Sequence, residues 1–525
     1  MGKQQEWQVT LAKSGKPNII FIVLDTLRRD GLSAYGNPRE TSPHLDQFSE
    51  GATLFTHAIA PAQWTTPSHI SMFTGLYPSM HRVTQGDSQL ASSICTLPEL
   101  LSKAGYTTIA FSNNPLVGVL DNGLRRGFDH FYNYAGAAPN RPLDLNNSGL
   151  QRAVTERFRR LARRMENQFA RSDRLFSLSM LPWLVPLWTR LINYKGHTRQ
   201  SINDTIDYWR LNANGSARRP LFVFLNLMGS HLPYNPARES VGRVAPELVN
   251  DKHAHAFIRR FNTDAARWSC PPDPPLRDWQ RLTLKAFHNA EIASQDVHLG
   301  SLLRGIAKPG SREKTLVIIA ADHGEVHGNH DFFGHGFSVH QELVHVPLII
   351  YGNPFPAGKI VSQTVSTRRI FHTVLEAAEV NLAQQEKALE SRAHLLSLSH
   401  LAHDSHDAEM GIAFSEAFPP RTILSMLQRR NPQLIDRLKL DEVHRALHDG
   451  GNKLIVIGKN VDALYNIDED PAEKNNLKAR YPDLVETLHE RMGPFLAASK
   501  VGREEQSVTL SAEMKEHLRT LGYMN

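Results

Sequence analysis

Four apolar runs in this 525-residue chain end in residues that can bind a metal or move a proton. NIIFIVL (18–24) is followed by Asp25, and TTIAF (107–111) by Ser112, Asn113 and Asn114. LFVFLNL (221–227) leads to Ser230 and His231, and TLVIIAA (315–321) to Asp322 and His323. Two carboxylates and an imidazole, from Asp25, Asp322 and His323, form a donor set suited to Mn2+, Zn2+ or Mg2+; an all-oxygen set would favour Ca2+. Taken singly each residue reads as structural, and only their convergence favours a metal site. The stretch WTTPSH (64–69) adds two threonine hydroxyls in front of a proline. A hydroxyl beside a metal is a candidate nucleophile. Yet Thr before x-Pro also caps helices, and proline is well placed in a first turn. On these six residues alone the helix cap is the better reading.

Bringing the four groups together requires a sheet. Continuous apolar strands alternating with helical patterns, such as LPELLSKAGY and QDVHLGSLLRGIA, predict an α/β fold: a doubly wound, mostly parallel sheet flanked by helices. VPLIIYG (346–352) is a further buried strand. Ligands of such sheets sit beyond the carboxyl ends of the strands, the edge to which Asp25, Asn114, His231 and Asp322-His323 are delivered. After a tail over 1–17, this catalytic domain is expected over 18–395, and from about 396 the texture changes. A smaller C-terminal α+β domain is expected over 396–525, with an antiparallel hairpin at 452–467. His400, His403 and His406 read as a solvated loop, because nothing fixes their geometry as metal ligands.

The segment from about 150 to 194 joins a basic helical pattern to LFSLSMLPWLVPLW, an apolar run too short to span a membrane and broken by Pro182 and Pro186. It reads first as a cap or lid over the catalytic domain, and second as a membrane-surface or lipid contact. Hydrophobic residues at 41% and charged residues at 21% give ordinary globular composition. A net charge of +6 favours anionic ligands weakly, and no nucleic-acid partner is expected, since neither zinc-finger spacing nor interleaved basic and aromatic strands occur. Cys95 and Cys270 lie far apart, which suggests a reducing compartment, and no signal-type apolar stretch precedes the first strand; a cytoplasmic location is expected.

Several longer stretches carry a resemblance. They are VLDTLRRDGLSAYG (23–36), WTTPSHISMFTGLYP (64–78), GYTTIAFSNNP (105–115), GFDHF (127–131), ADHGEVHGNHDFFGHG (321–336), HVPLIIYG (345–352) and LYNIDEDPAEKNNL (464–477). In this order they resemble the sulfatase family of the alkaline phosphatase superfamily over most of the chain. In that family a Cys/Ser-x-Pro-Ser-Arg loop carries the nucleophile, whose Cys or Ser is oxidised to formylglycine. The resemblance implies Thr65 as nucleophile, at a helix N-terminus that favours a bound oxyanion, with Thr66 as spacer. It implies a metal held by Asp25, Thr65, Asp322 and His323, with His231 and His335 on the leaving oxygen and Asn114 on a non-bridging oxygen.

The departures from the family pattern shape the expected activity. Threonine carries a methyl on Cβ, so no formylglycine is expected. His69 replaces the family's arginine, Asp25-Thr26 its Asp-Asp pair, and His335 the lysine of many sulfatases. Asp251 and His255 have the Asp-x-x-x-His spacing of a second metal but lie too far downstream, so one divalent ion is expected, Mn2+ ahead of Zn2+, Mg2+ and Ca2+. These features resemble the superfamily's threonine-nucleophile phosphodiesterases. The main expectation is a small anionic ester, a phosphodiester or phosphonate monoester, cleaved through a phosphothreonine. The charge argument is that one divalent ion balanced by two carboxylates suits a singly charged ester. The alternatives are a sulfatase with an unmodified hydroxyl, a phospho-group transferase and, behind these, a non-catalytic binding protein.

Overall fold

The computed structural model describes residues 15–135, 143–144, 195–213, 219–262, 271–308, 310–380, 393–498 and 506–507. The basic and apolar insertion over 150–194, with its lid and membrane-surface readings, lies outside the described residues, as does Cys270.

The core of the molecule is a ten-stranded sheet. Its strands run, from one edge to the other, Lys359–Val361, Thr53–Ile59, His345–Tyr351, Thr315–Ala320, Asn18–Leu24, Leu221–Leu227, Thr107–Ser112, His130–Asn133 and Leu143–Asp144, with Val365–Ser366 paired to Thr53–Ile59 off this path. The three strands at its centre are buried almost throughout, as the unbroken apolar runs require of a sheet covered on both faces. Parallel pairing sets Leu24 level with Leu227 and Val23 level with Ala320. The residues that follow these strands therefore leave the sheet at one height. Asp25 N–H donates to Leu227 O, and Asn113 N–H to Asn226 O, which extends the ladder one step into the site.

Two strands run against the rest. Leu143–Asp144 pairs antiparallel with His130–Asn133, and His345–Tyr351 is antiparallel to both its neighbours. The reason for the second lies in its connection: the chain leaves Ala320 at the carboxyl edge, passes through the loop bearing Asp322 to His340, and re-enters from that same edge. A strand entered there can only run backwards.

The pattern QDVHLGSLLRGIA is the last part of a 29-residue helix, Asp278–Ile306. Buried polar side chains on this helix brace the carboxyl edge. Gln295 Oε1 accepts from Gly229 N–H at 2.7 Å, beside Ser230 and His231, and Asp296 caps the Pro43–Glu50 helix through the His44 and Leu45 N–H groups at 3.0 Å each. At the C-terminal end, Ile412–Ala417, His444–Asp449, Asn452–Ile457 and Asn460–Asn466 form a four-stranded antiparallel sheet, and the helix Pro482–Ala498 packs on it. The hairpin expected at 452–467 is its last pair. This sheet is tied to the large one by Glu416 N–H donating to Pro61 O at 3.0 Å. No helix among the described residues is long and apolar enough to cross a membrane.

Candidate active site

The helix Thr65–Thr74 settles the geometry of WTTPSH. Trp64 holds its N-cap position in an extended conformation with no side-chain capping bond, and all ten helix residues are buried. Thr65 therefore stands in the first turn and does not cap it. Its Oγ1 instead lies 3.3 Å from His323 Nε2. His323 Nδ1 faces the Gly324 carbonyl at 2.9 Å. A carbonyl only accepts, so Nδ1 carries the proton and the Nε2 of the neutral ring turns a bare lone pair to Thr65. Burial and then the nearby His335 hold the His323 pKa well below 6.5, which keeps that ring neutral.

Asp25, Asp322 and His323 come together as a fully buried group whose ligand atoms all lie within 4.8 Å of one another. His323 Nε2 is 3.4 Å from Asp322 Oδ2 and 4.0 Å from Asp25 Oδ1. Those two carboxylate oxygens are buried and have no hydrogen-bond partner among the described residues. The remaining oxygens are held: Asp25 Oδ2 accepts from Asn114 Nδ2 at 2.6 Å, and Asp322 Oδ1 accepts from the His323 and Thr26 N–H groups at 2.9 and 3.3 Å. Burial raises the Asp25 pKa to about 6 despite Asn114, His335 and Asn226, and burial followed by the Asp25 charge pushes Asp322 well above the carboxylate range. Two carboxyl oxygens without a hydrogen bond among the described residues and a bare imidazole nitrogen, at chelating separation, fit a divalent cation.

Around this group the other expected residues divide. Asn114 reaches the site, but its amide nitrogen orients Asp25 and its Oδ1 accepts from Leu116 N–H at 2.8 Å. His69 lies beneath Thr65, its Nδ1 2.9 Å from Thr65 O and 3.4 Å from Asp322 Oδ2. Burial lowers its pKa to about 4, so it supports the first turn as a neutral ring and does not reproduce an arginine's charge. His231 and His335 face each other with ring centroids 5.3 Å apart, and His335 is 4.7 Å from the His323 ring. Their protonation differs. His231 Nδ1 donates to Leu232 O at 2.6 Å, and burial, then His335, lowers its pKa to about 3. Burial also opposes charge on His335, but buried Glu325, 3.1 Å from its Nδ1, outweighs that and raises its pKa. Asp251 and His255 are elsewhere: Asp251 caps the helix Lys252–Asn262 through the His253 and Ala254 N–H groups, and His255 packs on Phe287. His400 and His403 contact Glu376 and Pro354 O respectively, outside the two candidate metal-binding groups among the described residues.

Three contributors were not anticipated, and a fourth, Ser230, was read only as a residue that follows a strand. Asn226 Nδ2 lies 3.3 Å from His69 Nε2, and this amide also lowers the Asp25 pKa. Ser68 and Ser230 hydroxyls donate to the Asp322 and Asp25 carbonyls, both at 2.7 Å. Glu325 is the partner of His335. Beyond the place of Ser230 after a strand, the sequence signal was a polar Asn inside the apolar run LFVFLNL, where an unpaired amide would be costly.

Residues 17–380, more than half of the chain, match the family model described as Sulfatase. Arylsulfatase K of Bos taurus is 23% identical over 509 residues, spanning 92% of this chain and 82% of the relative. An arylsulfatase of Clostridium perfringens is 22% identical over 410 residues, spanning 71% and 77%. Among solved structures, the phosphonate monoester hydrolase of Agrobacterium radiobacter has a TM-score of 0.59 at 18% identity, covering 94% of this chain and 96% of that one. A structure in complex with its substrate D-glucosamine-2-N,6-O-disulfate has a TM-score of 0.62 at 17% identity, covering 92% and 98%. These structural likenesses show the fold.

The relatives named as arylsulfatases overturn the expected preference for a phosphodiester or phosphonate monoester. The physical reason is that the charge argument does not discriminate: a sulfate monoester, like a phosphodiester, carries a single negative charge. With its motifs in order, the family model matched over the sheet and relatives named as arylsulfatases spanning most of its length, this chain is an ester hydrolase that belongs to the sulfatase family of the alkaline phosphatase superfamily.

Proposed function

We propose that this protein hydrolyses a small sulfuric ester, with the unmodified Thr65 hydroxyl as nucleophile. The observation that carries the reading is the placement of Thr65 Oγ1 in the first turn of a buried helix, 3.3 Å from a bare imidazole nitrogen and beside two orphaned carboxylate oxygens. Asp25, Asp322, His323 and Thr65 Oγ1 would hold one divalent ion, Mn2+ first among Mn2+, Zn2+, Mg2+ and Ca2+, since one imidazole joins oxygen donors. When bound, that ion supplies Lewis acidity, which lowers the hydroxyl's pKa and neutralises the carboxylates.

Thr65 Oγ attacks sulfur, and the bond from sulfur to the alcohol oxygen breaks. His335, whose pKa Glu325 raises, donates its proton to the departing oxygen. Neutral His231, with Nδ1 donating to Leu232 O, faces His335 on the side of the leaving oxygen, and the proton of the Thr65 hydroxyl would pass to solvent as its pKa falls. Water then attacks the sulfur of the threonine sulfate, releasing hydrogen sulfate and restoring Thr65. Asn114, Asn226 and His69 position the carboxylates and the first helical turn. The threonine carbon cannot become an aldehyde, because it carries a methyl, so the nucleophile remains a hydroxyl.

The test is turnover of aryl sulfates by the full chain with each of the four metals, alongside matched phosphodiesters. Sulfate release that is lost with chelator and in Thr65→Ala supports the reading. Metal-loaded protein that leaves every sulfate ester intact overturns it.

A further inference from the structure

Residues 335–340 belong to no strand or helix, yet 335–339 are buried. Irregular backbone away from water needs partners for its carbonyls, and side chains from elsewhere in the fold supply them here. The Lys453 ammonium, on the C-terminal sheet, donates to Val339 O at 2.6 Å and is paired with Glu473. Glu473 Oε2 in turn accepts from His340 Nδ1 at 2.7 Å and from Gln341 N–H at 3.0 Å. These contacts fasten the far end of the segment. Its near end, the Gly336 carbonyl next to His335, is taken by Gln63.

Gln63 is 1% exposed and lies two residues before Thr65. Its amide nitrogen has two hydrogens to give. One goes to Gly336 O at 3.2 Å and the other to Phe418 O at 3.0 Å. Phe418 follows the strand Ile412–Ala417, which is itself fixed to the chain leading to Thr65. Ser415 Oγ donates to Ala60 O at 2.6 Å, Glu416 N–H donates to Pro61 O at 3.0 Å, and Ala62 pairs with Glu416 in a parallel bridge. One side chain thus joins the approach to the nucleophile, the loop bearing His335 and the edge of the C-terminal sheet. Glu325 cannot do this. It belongs to the same loop as His335, so their 3.1 Å contact orients the ring within the loop without relating the loop to Thr65.

We propose that Gln63 is a positioning residue: by holding Gly336 O, it sets the His335 ring relative to the Thr65 hydroxyl. The step it serves is the one already written, in which the bond from sulfur to the alcohol oxygen breaks and the His335 proton goes to that oxygen. The role therefore rests on the sulfuric-ester reading. Neither hydrogen bond of the Gln63 amide nitrogen reaches Asp25, Thr65, Asp322 or His323, so its loss should leave metal affinity unchanged.

The test is Gln63→Met, which keeps the length of the side chain and donates nothing, alone and combined with His335→Gln. With phenyl sulfate, whose leaving oxygen needs a proton, kcat should fall by about a hundredfold, the cost of a displacement near 1 Å. With 4-nitrophenyl sulfate, which departs as a stable phenolate, the loss should stay below about threefold. In the His335→Gln background, Gln63→Met should cost nothing further, because it acts through His335. Hydrogen exchange read by mass spectrometry judges the clamp without substrate: Gln63→Met should speed exchange over 335–340 and leave 18–24 unchanged. Should Gln63→Met not fold, Gln63→Glu, which when ionised donates nothing either, carries the test. Equal losses on the two sulfates, additive losses in the double variant, or unchanged exchange over 335–340 overturns the proposal. Wild-type protein inert towards every sulfate ester overturns the sulfuric-ester reading instead, and faster exchange in the variant would still support the clamp.

Discussion

The two carboxylate clusters of this protein solve the same electrostatic problem in opposite ways. At the carboxyl edge of the sheet, Asp25 and Asp322 are buried together with neutral histidines, and no lysine or arginine touches either carboxylate among the hydrogen bonds and ion pairs of the described residues. Their pKa values rise accordingly, chiefly through burial. At the joint with the C-terminal sheet, burial also works to raise Glu473, but Lys453 and His340 outweigh it and hold the carboxyl below its ordinary range. A chain that keeps two anionic groups side by side without a countercharge has left that countercharge to come from outside. One that buries its own ammonium with the carboxylate has built a fastening. The difference separates a candidate metal centre from a structural joint, though both are buried and rich in histidine.

The largest effect expected is on turnover. Thr65→Ala should reduce kcat by at least about a thousandfold, since loss of a nucleophile far exceeds loss of a packing methyl, whereas Thr65→Ser should retain substantial activity. Intact-protein mass spectrometry should find Thr65 unoxidised, and a slow substrate should leave a sulfuryl group on it. Full activity in Thr65→Ala would erase the functional half of the contrast.

Removing one carboxylate from each cluster should move stability in opposite directions. Glu473→Gln leaves Lys453 buried without its anion and should cost roughly 3–5 kcal/mol, read as a lower denaturation midpoint. Asp322→Asn in metal-free protein relieves the repulsion with Asp25 and should hold or raise that midpoint, while removing the part of the metal-induced rise that comes from the group at Asp25. Equal losses in the two variants would show that the clusters do not differ as described.

Acidity sharpens the same contrast. Asp25 titrates near 6 in the folded metal-free chain against 3.8 ordinarily, so its contribution to stability is full below 3.8 and is lost as pH rises through about 6. Glu473, lowered from 4.5, contributes fully above 4.5 and loses that contribution only as pH falls through its depressed folded value. Added metal should therefore raise the melting temperature more at about pH 7 than at about pH 5, where protons compete for Asp25. A metal response independent of pH would argue against Asp25 as a ligand. The smallest effect is expected at Asn226. Asn226→Ala should weaken metal binding by about 10–100-fold through the orientation of Asp25 and His69, with the fold retained by circular dichroism; unchanged affinity would remove Asn226 from the site.

Much of the site could be read in the chain because strand ends are local. Asp25, Asn114, His231 and the Asp322-His323 pair each follow an apolar run, and parallel strands must release such residues on one side of a sheet. Asn226 could not be read that way, since it lies within the apolar run and becomes functional only when its neighbour across the ladder is Ser112 and His69 lies beneath it. Glu325 and His335 are ten residues apart, and their pairing depends on the path of an irregular loop. Proximity to a sulfatase motif named His69 and Asn114, but their hydrogen bonds make them supports of the first turn and of Asp25.

The order of apolar strands and polar ends determined the α/β sheet, the edge that carries the chemistry and the family, because hydrophobic period and motif order are properties of consecutive residues. Which histidine is charged, which carboxylate oxygens are left without a partner and whether Thr65 caps a helix or faces His323 were decided by the tertiary structure. Those outcomes depend on burial and on contacts between residues as far apart as Thr65 and His323, and no local pattern contains them.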